Sequence, residues 1–533
     1  MKLSDDGKTL IEVRDNDLKK DGSFEIPAGV TSIENMAFGF CRGLQSLIIS
    51  EGVTSIGRWA LSYCSKLKSL IIPEGVTSIE EGAFYECNSL QSLTIPSSVT
   101  SISNFLFFGC SGLERLSLPE GVTSIGEAAF QSCTGLKSLT IPKSVTSIRQ
   151  GAFNGCSGLQ RINIPVGVTS IEWGTFSECT GLQSITIPEG VSFIDTSAFS
   201  GCSGLQSLVI PAGVTTIGDY AFMGCSGLQS ITISQGVNSI GKGAFVRCSR
   251  LQTITIPQGV TSIGDGAFSQ CSGLESIIIP QGVTAIESCA FLGCSGLQSI
   301  LLPESVASIE SMLFYGCSGL RNITIPEQVT SIHYRAFHGC SRLQTITIPD
   351  GITAIAPSAF DECPSLQSIV IASQSEAVRE RIISLLPDSL KAKVILKGLA
   401  EEVFKFRDAQ LLRLVHTPET NPLFRFFHMK SRHSLRFSGE NGVARECSKL
   451  PDELLQAINR FSDDNRYYQK ARRYIQDLPL PANANELLDY KNKVTAIVNE
   501  CRSKAKEFTQ PIDAITDKGA IQSAEESRRP KLL

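Results

Sequence analysis

Cysteine is the residue whose number and spacing could carry chemistry in this chain. Fifteen of its 18 cysteines, from Cys41 to Cys363, stand 23 residues apart with no insertion or deletion. Thiols in such numbers could close disulfides, ligate a metal or act as nucleophiles. If successive coils stack ~4.8 Å apart, neighbouring cysteines come within disulfide reach. Against pairing, the series is odd in number and every member holds an apolar, inward position. The opening stretch, MKLSDDGKTLIEVRDND, also shows no basic start followed by an apolar run, so no ordinary secretory signal is expected. The expectation is a column of buried free thiols. Cys289, Cys447 and Cys501 lie outside the series and form no CxxC pair. His333 and His338 lie close to Cys340, but that cysteine belongs to the series, and His416, His428 and His433 are irregularly spaced. No metal centre and no cofactor are expected. Neither a glycine-rich phosphate loop nor a serine nucleophile elbow appears, so catalysis is not expected either.

A period held this strictly implies structure that repeats in space. The segment PQGVTSIGDGAFSQCSGLESIII, residues 257–279, serves as the type unit. Counted from each cysteine of the series, Ile stands eight residues before and Leu three after in all units. Phe stands three before in fourteen units, with Leu61 in the other, and Val eleven before in fourteen, with Ile352 in the last. Ile or Leu recurs six and eight residues after. The Leu-x-x-Ile-x-Ile stretch alternates with period two and is rich in β-branched residues, which predicts a short strand. Ile-Pro-x-Gly suits a type I turn with Pro second and Gly fourth. Val-Thr-Ser-Ile predicts a second, shorter extended piece, and Ala-Phe-x-x-Cys-Ser-Gly a helical or 3₁₀ turn closed by Gly. No single unit buries enough to fold alone; stacked strands must share the burial.

These Pro, Gly, Val, Ile, Ala-Phe, Cys and Leu-x-x-Ile positions resemble the leucine-rich repeats of BspA-like proteins, over residues 24–372. The resemblance implies an α/β repeat solenoid, a horseshoe with parallel strands, that binds proteins or surfaces rather than performing catalysis.

The charge is divided along the chain. Residues 1–370 hold 20 basic and 30 acidic residues, whereas 371–533 hold 28 and 22. Together with the end of the periodicity after Ile371, this predicts an N-terminal cap over 1–26, the solenoid over 27–372, a helical cap over 373–398, an α-helical domain over 399–508 and a disordered tail over 509–533. Ser373 and Glu376 have capping-box spacing, and Val378, Ile382, Leu385 and Leu386 form an apolar stripe on the helix they open. No run of apolar residues is long enough for a membrane span.

Binding is expected on strand residues five and seven after each cysteine, which alternate away from the core onto the concave side. Most are small and polar. Ile48 with Ile71, and Ile278 with Leu301, are neighbouring apolar exceptions that mark candidate contact patches. Arg115 and Arg161 stand two coils apart on the same face and suit an acidic partner.

In the second part, residues 404–437 interleave basic residues such as Arg407, Arg425 and Arg436 with Phe404, Phe424, Phe427 and others. That mixture suits an anionic membrane surface; nucleic acid is a weaker fit. Bacterial leucine-rich-repeat ubiquitin ligases join a solenoid to a helical domain with a nucleophilic Cys followed two residues on by Asp. Here Cys447 and Cys501 are followed by Ser448-Lys449 and Arg502-Ser503, so that motif fails. LPDELLQAINRFS, residues 450–462, resembles the opening of an F-box through Leu450, Pro451, Leu454, Leu455 and Ile458; the resemblance implies a ubiquitin-ligase adaptor. The Ala524-Glu525-Glu526 cluster before RRPKLL resembles C-terminal export signals of bacterial effectors. The leading expectation is a non-enzymatic scaffold of a host-associated bacterium that binds a protein through its solenoid. It would be cytoplasmic, or exported without an N-terminal signal peptide. The alternatives are the ubiquitin-ligase adaptor and a surface adhesin.

Overall fold

The computed structural model of the protein describes residues 1–373, 375–396, 489–497 and 499–500. The chain divides into two units, 1–391 and 392–533. The first unit is a parallel-strand solenoid. Apart from the coil that carries residues 299–302, each coil contributes one strand of two to four residues and one of two, as in Ser276–Ile278 and Ser262–Ile263. Strands pair in parallel with the equivalent residue one period on: Ser230 with Thr253, Ser262 with Ala285. The register is fixed because a one-residue slip would turn every buried Ile outward.

Pairing proceeds along two sides of the coil, and side chains from both sides fill the space between. The Ile eight before each cysteine and the Leu three after it are buried throughout, as in Ile263 and Leu274, both 0% exposed. From Phe84 to Phe360 the phenylalanines form one column, with ring centroids 5.3–5.7 Å apart and planes within 3–16° of parallel. Near-parallel rings at this separation are offset-stacked, the arrangement that ring quadrupoles favour over a face-to-face sandwich.

Two local expectations are corrected. The proline turn closes through Val260 N–H to Pro257 O at 3.1 Å, so Pro is first and Gly259 third in the turn, one place earlier than expected. Proline has no N–H for the ladder, so it ends the strand while its carbonyl accepts the turn bond. The Ala-Phe segment is a chain of turns and neither an α- nor a 3₁₀-helix. Its N–H groups alternate between their own coil and the next one: Ala267 bonds Gly264 O at 3.1 Å, then Phe268 bonds Ala290 O at 2.8 Å. A helix would direct every N–H along itself. Two left-handed residues in every coil but the last break that direction, at five and one before the cysteine, for example Gly266 (φ 62°) and Gln270 (φ 59°).

Residues 1–26 add a further turn of the stack. Thr9 and Leu10 pair with Ser32 and Ile33, and Ser23–Glu25 with Ser46–Ile48, while Lys2–Leu3 crosses the outer edge of Thr9–Glu12 antiparallel. The free edge is thereby covered. At the other end the helix Glu376–Leu385 begins after Ser375, not at a Ser373 cap. Ser373 Oγ instead accepts the Ser375 N–H at 3.1 Å. Of the expected stripe, Ile382 and Leu386 are buried and Val378 and Leu385 half-buried. The Arg381 guanidinium donates to the carbonyls of Ile352 and Asp350, which ties this helix to the turn of the last coil. In the second unit the described parts are a strand, Val394–Leu396, and helical residues 489–497 and 499–500.

Candidate binding surface

The thiol column is structural. Each cysteine from Cys64 to Cys363 donates its S–H to the backbone carbonyl three residues before the preceding cysteine; Cys202 reaches Phe176 O at 3.1 Å. All 16 described cysteines are free, and those of the series are buried. Burial pushes the thiols of Cys110, Cys156, Cys225 and Cys317 up to about 12. A thiol held protonated is neither a nucleophile nor a metal ligand. Cys289, off the column and partly exposed, is also raised by burial. Among the described residues no group of three or more His, Cys, Asp or Glu could hold a metal. His333 bonds Ser331 Oγ at 3.0 Å, His338 lies 3.4 Å from Glu362, and Cys340 donates to Phe314 O, so the three are engaged separately.

Strand residues at the outward positions form a file of small polar side chains broken by apolar ones. Ile48 and Ile71 are paired directly across neighbouring strands and are 58% and 81% exposed. The Ile side of the strand is buried in the same coils, at Leu47 and Leu70, so alternation alone places these two outside. Ile278 pairs with Thr255 and is 63% exposed. Leu301, the equivalent residue one coil on, is 73% exposed, but its segment makes no strand pairing. Val209 occupies the same outward position at 60% exposure; it was legible from spacing and was not singled out. Arg115 and Arg161 are exposed, opposite Ser92 and Ser138 respectively. The face thus holds two apolar pairs, the single Val209 between them and two separated cations.

A second surface was not anticipated. On the turn side of the first four coils six rings touch. Phe40 stacks on Tyr63 at 4.7 Å and Tyr85 on Phe108 at 4.6 Å. Tyr63 meets Tyr85 edge-on at 5.4 Å, and Trp59 meets Tyr85 at 5.0 Å and Phe105 at 6.3 Å. Gly82 lets Trp59 lie flat, because a Cβ there would stand 2.4 Å from the indole. The signal in sequence was compositional. At five, two and one residues before the cysteine, later coils carry mostly Gly, Ser, Gln or other non-aromatic residues, whereas the first four carry the rings.

The F-box-like residues Leu450, Pro451, Leu454, Leu455 and Ile458, the basic aromatic segment 404–437, Cys447 and Cys501 all lie outside the described residues. Among the described residues no helix is long and apolar enough to cross a membrane.

A BspA type leucine-rich repeat region matches residues 18–134, 77–206, 194–320 and 261–386. The fold is similar to a leucine-rich repeat protein from Bacteroides ovatus, 29% identical, with a TM-score of 0.59 over 74% of this chain and 96% of that one. A leucine rich cell surface protein from Faecalibacterium prausnitzii is 35% identical over 52% of this chain and 78% of that one, with a TM-score of 0.39. A leucine-rich repeat protein from Eubacterium ventriosum is 25% identical over 65% and 91%, with a TM-score of 0.40. No curated protein matches the chain. With its thiol column, stacked phenylalanines and 23-residue coils, the chain belongs to the family of BspA-type leucine-rich repeat proteins.

Proposed function

We propose that the protein is a non-enzymatic scaffold that binds a protein partner through the outward strand face of its solenoid. The observation that carries this reading is the pairing of Ile48 with Ile71 on adjacent strands, both held out of the core. Apolar neighbours on an otherwise polar file lose water when a partner covers them, and such sites concentrate binding energy. The parallel ladder supports them on a rigid backbone, so little ordering cost accompanies binding. Arg115 and Arg161 add charge that orients an acidic part of the partner. In this reading the chain is bacterial, which the source of the similar Bacteroides ovatus structure supports, and its partner is a host protein.

The test is affinity capture by the full chain, quantified by mass spectrometry. Ile48→Asp with Ile71→Asp, and separately Ile278→Asp with Leu301→Asp, should each leave the circular dichroism spectrum unchanged. One or both pairs should lower recovery of a reproducible partner at least about tenfold. Full recovery with both pairs removed would sink the reading.

A further inference from the structure

The two arginines of the strand face belong to a longer basic row. At four and five residues after the cysteine, coils two to six carry Lys68, Arg115, Lys137 and Arg161 against a single carboxylate, Glu114. The same two positions in the later coils hold one cation, Arg321, and one carboxylate, Glu275, among Gln, Ser, Thr and Asn. Lys68, Arg115, Lys137 and Arg161 are all exposed. The backbone holds them in line. Gln91 N–H donates to Lys68 O at 3.3 Å, Glu114 N–H to Gln91 O at 2.9 Å and Gln160 N–H to Lys137 O at 2.9 Å, while Arg161 pairs across the strands with Ser138. At ~4.8 Å per coil the row spans roughly 20 Å from Lys68 to Arg161. None of the four has an ion-pair partner among the described residues. Arg58 and Arg149, which precede the cysteines of their coils, do: they reach Glu80 at 3.6 Å and Glu172 at 3.3 Å. Ile71 lies in the same coil as Lys68, with Ile48 paired beside it.

We propose that this row and the Ile48–Ile71 pair form one site, which docks a segment of a protein partner carrying two neighbouring apolar side chains followed by several carboxylates. The inference rests on the strand-face reading above and gives the partner its chemistry. The apolar side chains cover Ile48 and Ile71, and the carboxylates lie over Arg115, Lys137 and Arg161. These cations have no carboxylate of their own, so pairing with the segment breaks no existing ion pair. The row and the apolar pair lie two or three residues apart across the strand, ~7–10 Å, so one face of the segment meets both. A polyanion of uniform charge is the poorer occupant. Glu114 stands inside the row, and charge placed over Ile48 and Ile71 would lose water without gaining a partner. Ile278 and Leu301 have no such row beside them and lie outside this site.

The full chain is titrated by calorimetry with a synthetic peptide, Leu-Leu-Ser-Glu-Ser-Glu-Ser-Glu, and with its reversed sequence. Matched peptides carry Gln for every Glu, and a heparin hexasaccharide stands for a polyanion. One of the two Glu peptides should bind saturably and more weakly as salt rises. Its Gln counterpart should bind about tenfold more weakly or not at all, a comparison made on the unaltered chain. Lys137→Glu with Arg161→Glu, and separately Ile48→Asp with Ile71→Asp, should each weaken the Glu peptide about tenfold or more with native circular dichroism. No binding of either Glu peptide, equal affinity for the Gln peptide, unchanged affinity after the charge reversal, or tighter binding of the hexasaccharide overturns the proposal. Affinity capture separates this inference from the reading beneath it. A partner whose recovery needs Ile48 and Ile71 but not Lys137 and Arg161 overturns the inference and leaves the strand-face reading standing; full recovery without either apolar pair sinks both.

Discussion

Cys41 Sγ lies 3.3 Å from Asp15 Oδ1, so a cap carboxylate accepts the S–H hydrogen bond that a backbone carbonyl accepts in later coils. Asp15 occupies the place that Phe takes in the coils that follow, and the same oxygen accepts the Gly43 N–H at 2.8 Å. One side chain thus ends the thiol ladder and holds the Gly43 N–H. Burial and the neighbouring Asp15 push the Cys41 thiol up to about 12.

Asp15→Ala should therefore loosen the first coil rather than the whole solenoid. It leaves the buried Cys41 thiol and the partly exposed Gly43 N–H without their acceptor, at a cost of about 2 kcal/mol. Hydrogen exchange should accelerate at Cys41 and Gly43 and stay unchanged beyond the middle coils. Uniform acceleration, or none, would contradict this role.

The phenylalanine column predicts a size rule. Phe199→Ala, in the middle of the stack at 0% exposure, should cost about 3–5 kcal/mol. Phe199→Leu should cost roughly 1.5 kcal/mol or less, because Leu61 fills the same position in the second coil. Thermal unfolding of both variants checks the order; equal losses would mean that the rings do not set the packing.

The thiols predict alkaline sensitivity. Their ordinary value is 9.0, and burial raises Cys110, Cys156, Cys225 and Cys317 to about 12. Below 9 both states keep these protons and stability is full. Between 9 and 12 the unfolded chain releases protons that the folded chain retains, so stability falls as pH rises. Each thiol contributes roughly 1.4 kcal/mol per pH unit in that window. The urea midpoint should drop from pH 9 to 10.5, and Cys156→Ala should drop less steeply than the parent. Parallel slopes would refute the assignment to this thiol.

Arg381 predicts the behaviour of the other end. Arg381→Ala removes charged donors from Ile352 O and Asp350 O, worth about 1.5–3 kcal/mol. Limited proteolysis should then begin near residues 350–373, with the coils before Cys294 still protected. A cleavage pattern identical to the parent's would show that the helix packs without this bond.

The coil was legible because its signal repeats fifteen times: inward Ile, Phe and Leu, and outward Ile48 and Ile278, follow from period two and the 23-residue spacing. The proline turn was misplaced by one residue because the motif fits either frame, and only the Val260-to-Pro257 hydrogen bond selects one. The Ala-Phe segment was misread as helical because its composition is helix-like. Its N–H groups bond to a neighbouring coil, a partner that local propensity does not contain.

The sequence by itself determined the solenoid, its register and the burial of its 23-residue cysteine series, since a strict apolar period leaves one way to bury every unit. Tertiary structure alone decided that rings from successive coils touch at Phe40, Tyr63, Tyr85 and Trp59, and that Asp15 closes the thiol ladder. Those outcomes depend on where the left-handed turns aim side chains across the stack, and contacts between coils do not exist until the coils are stacked.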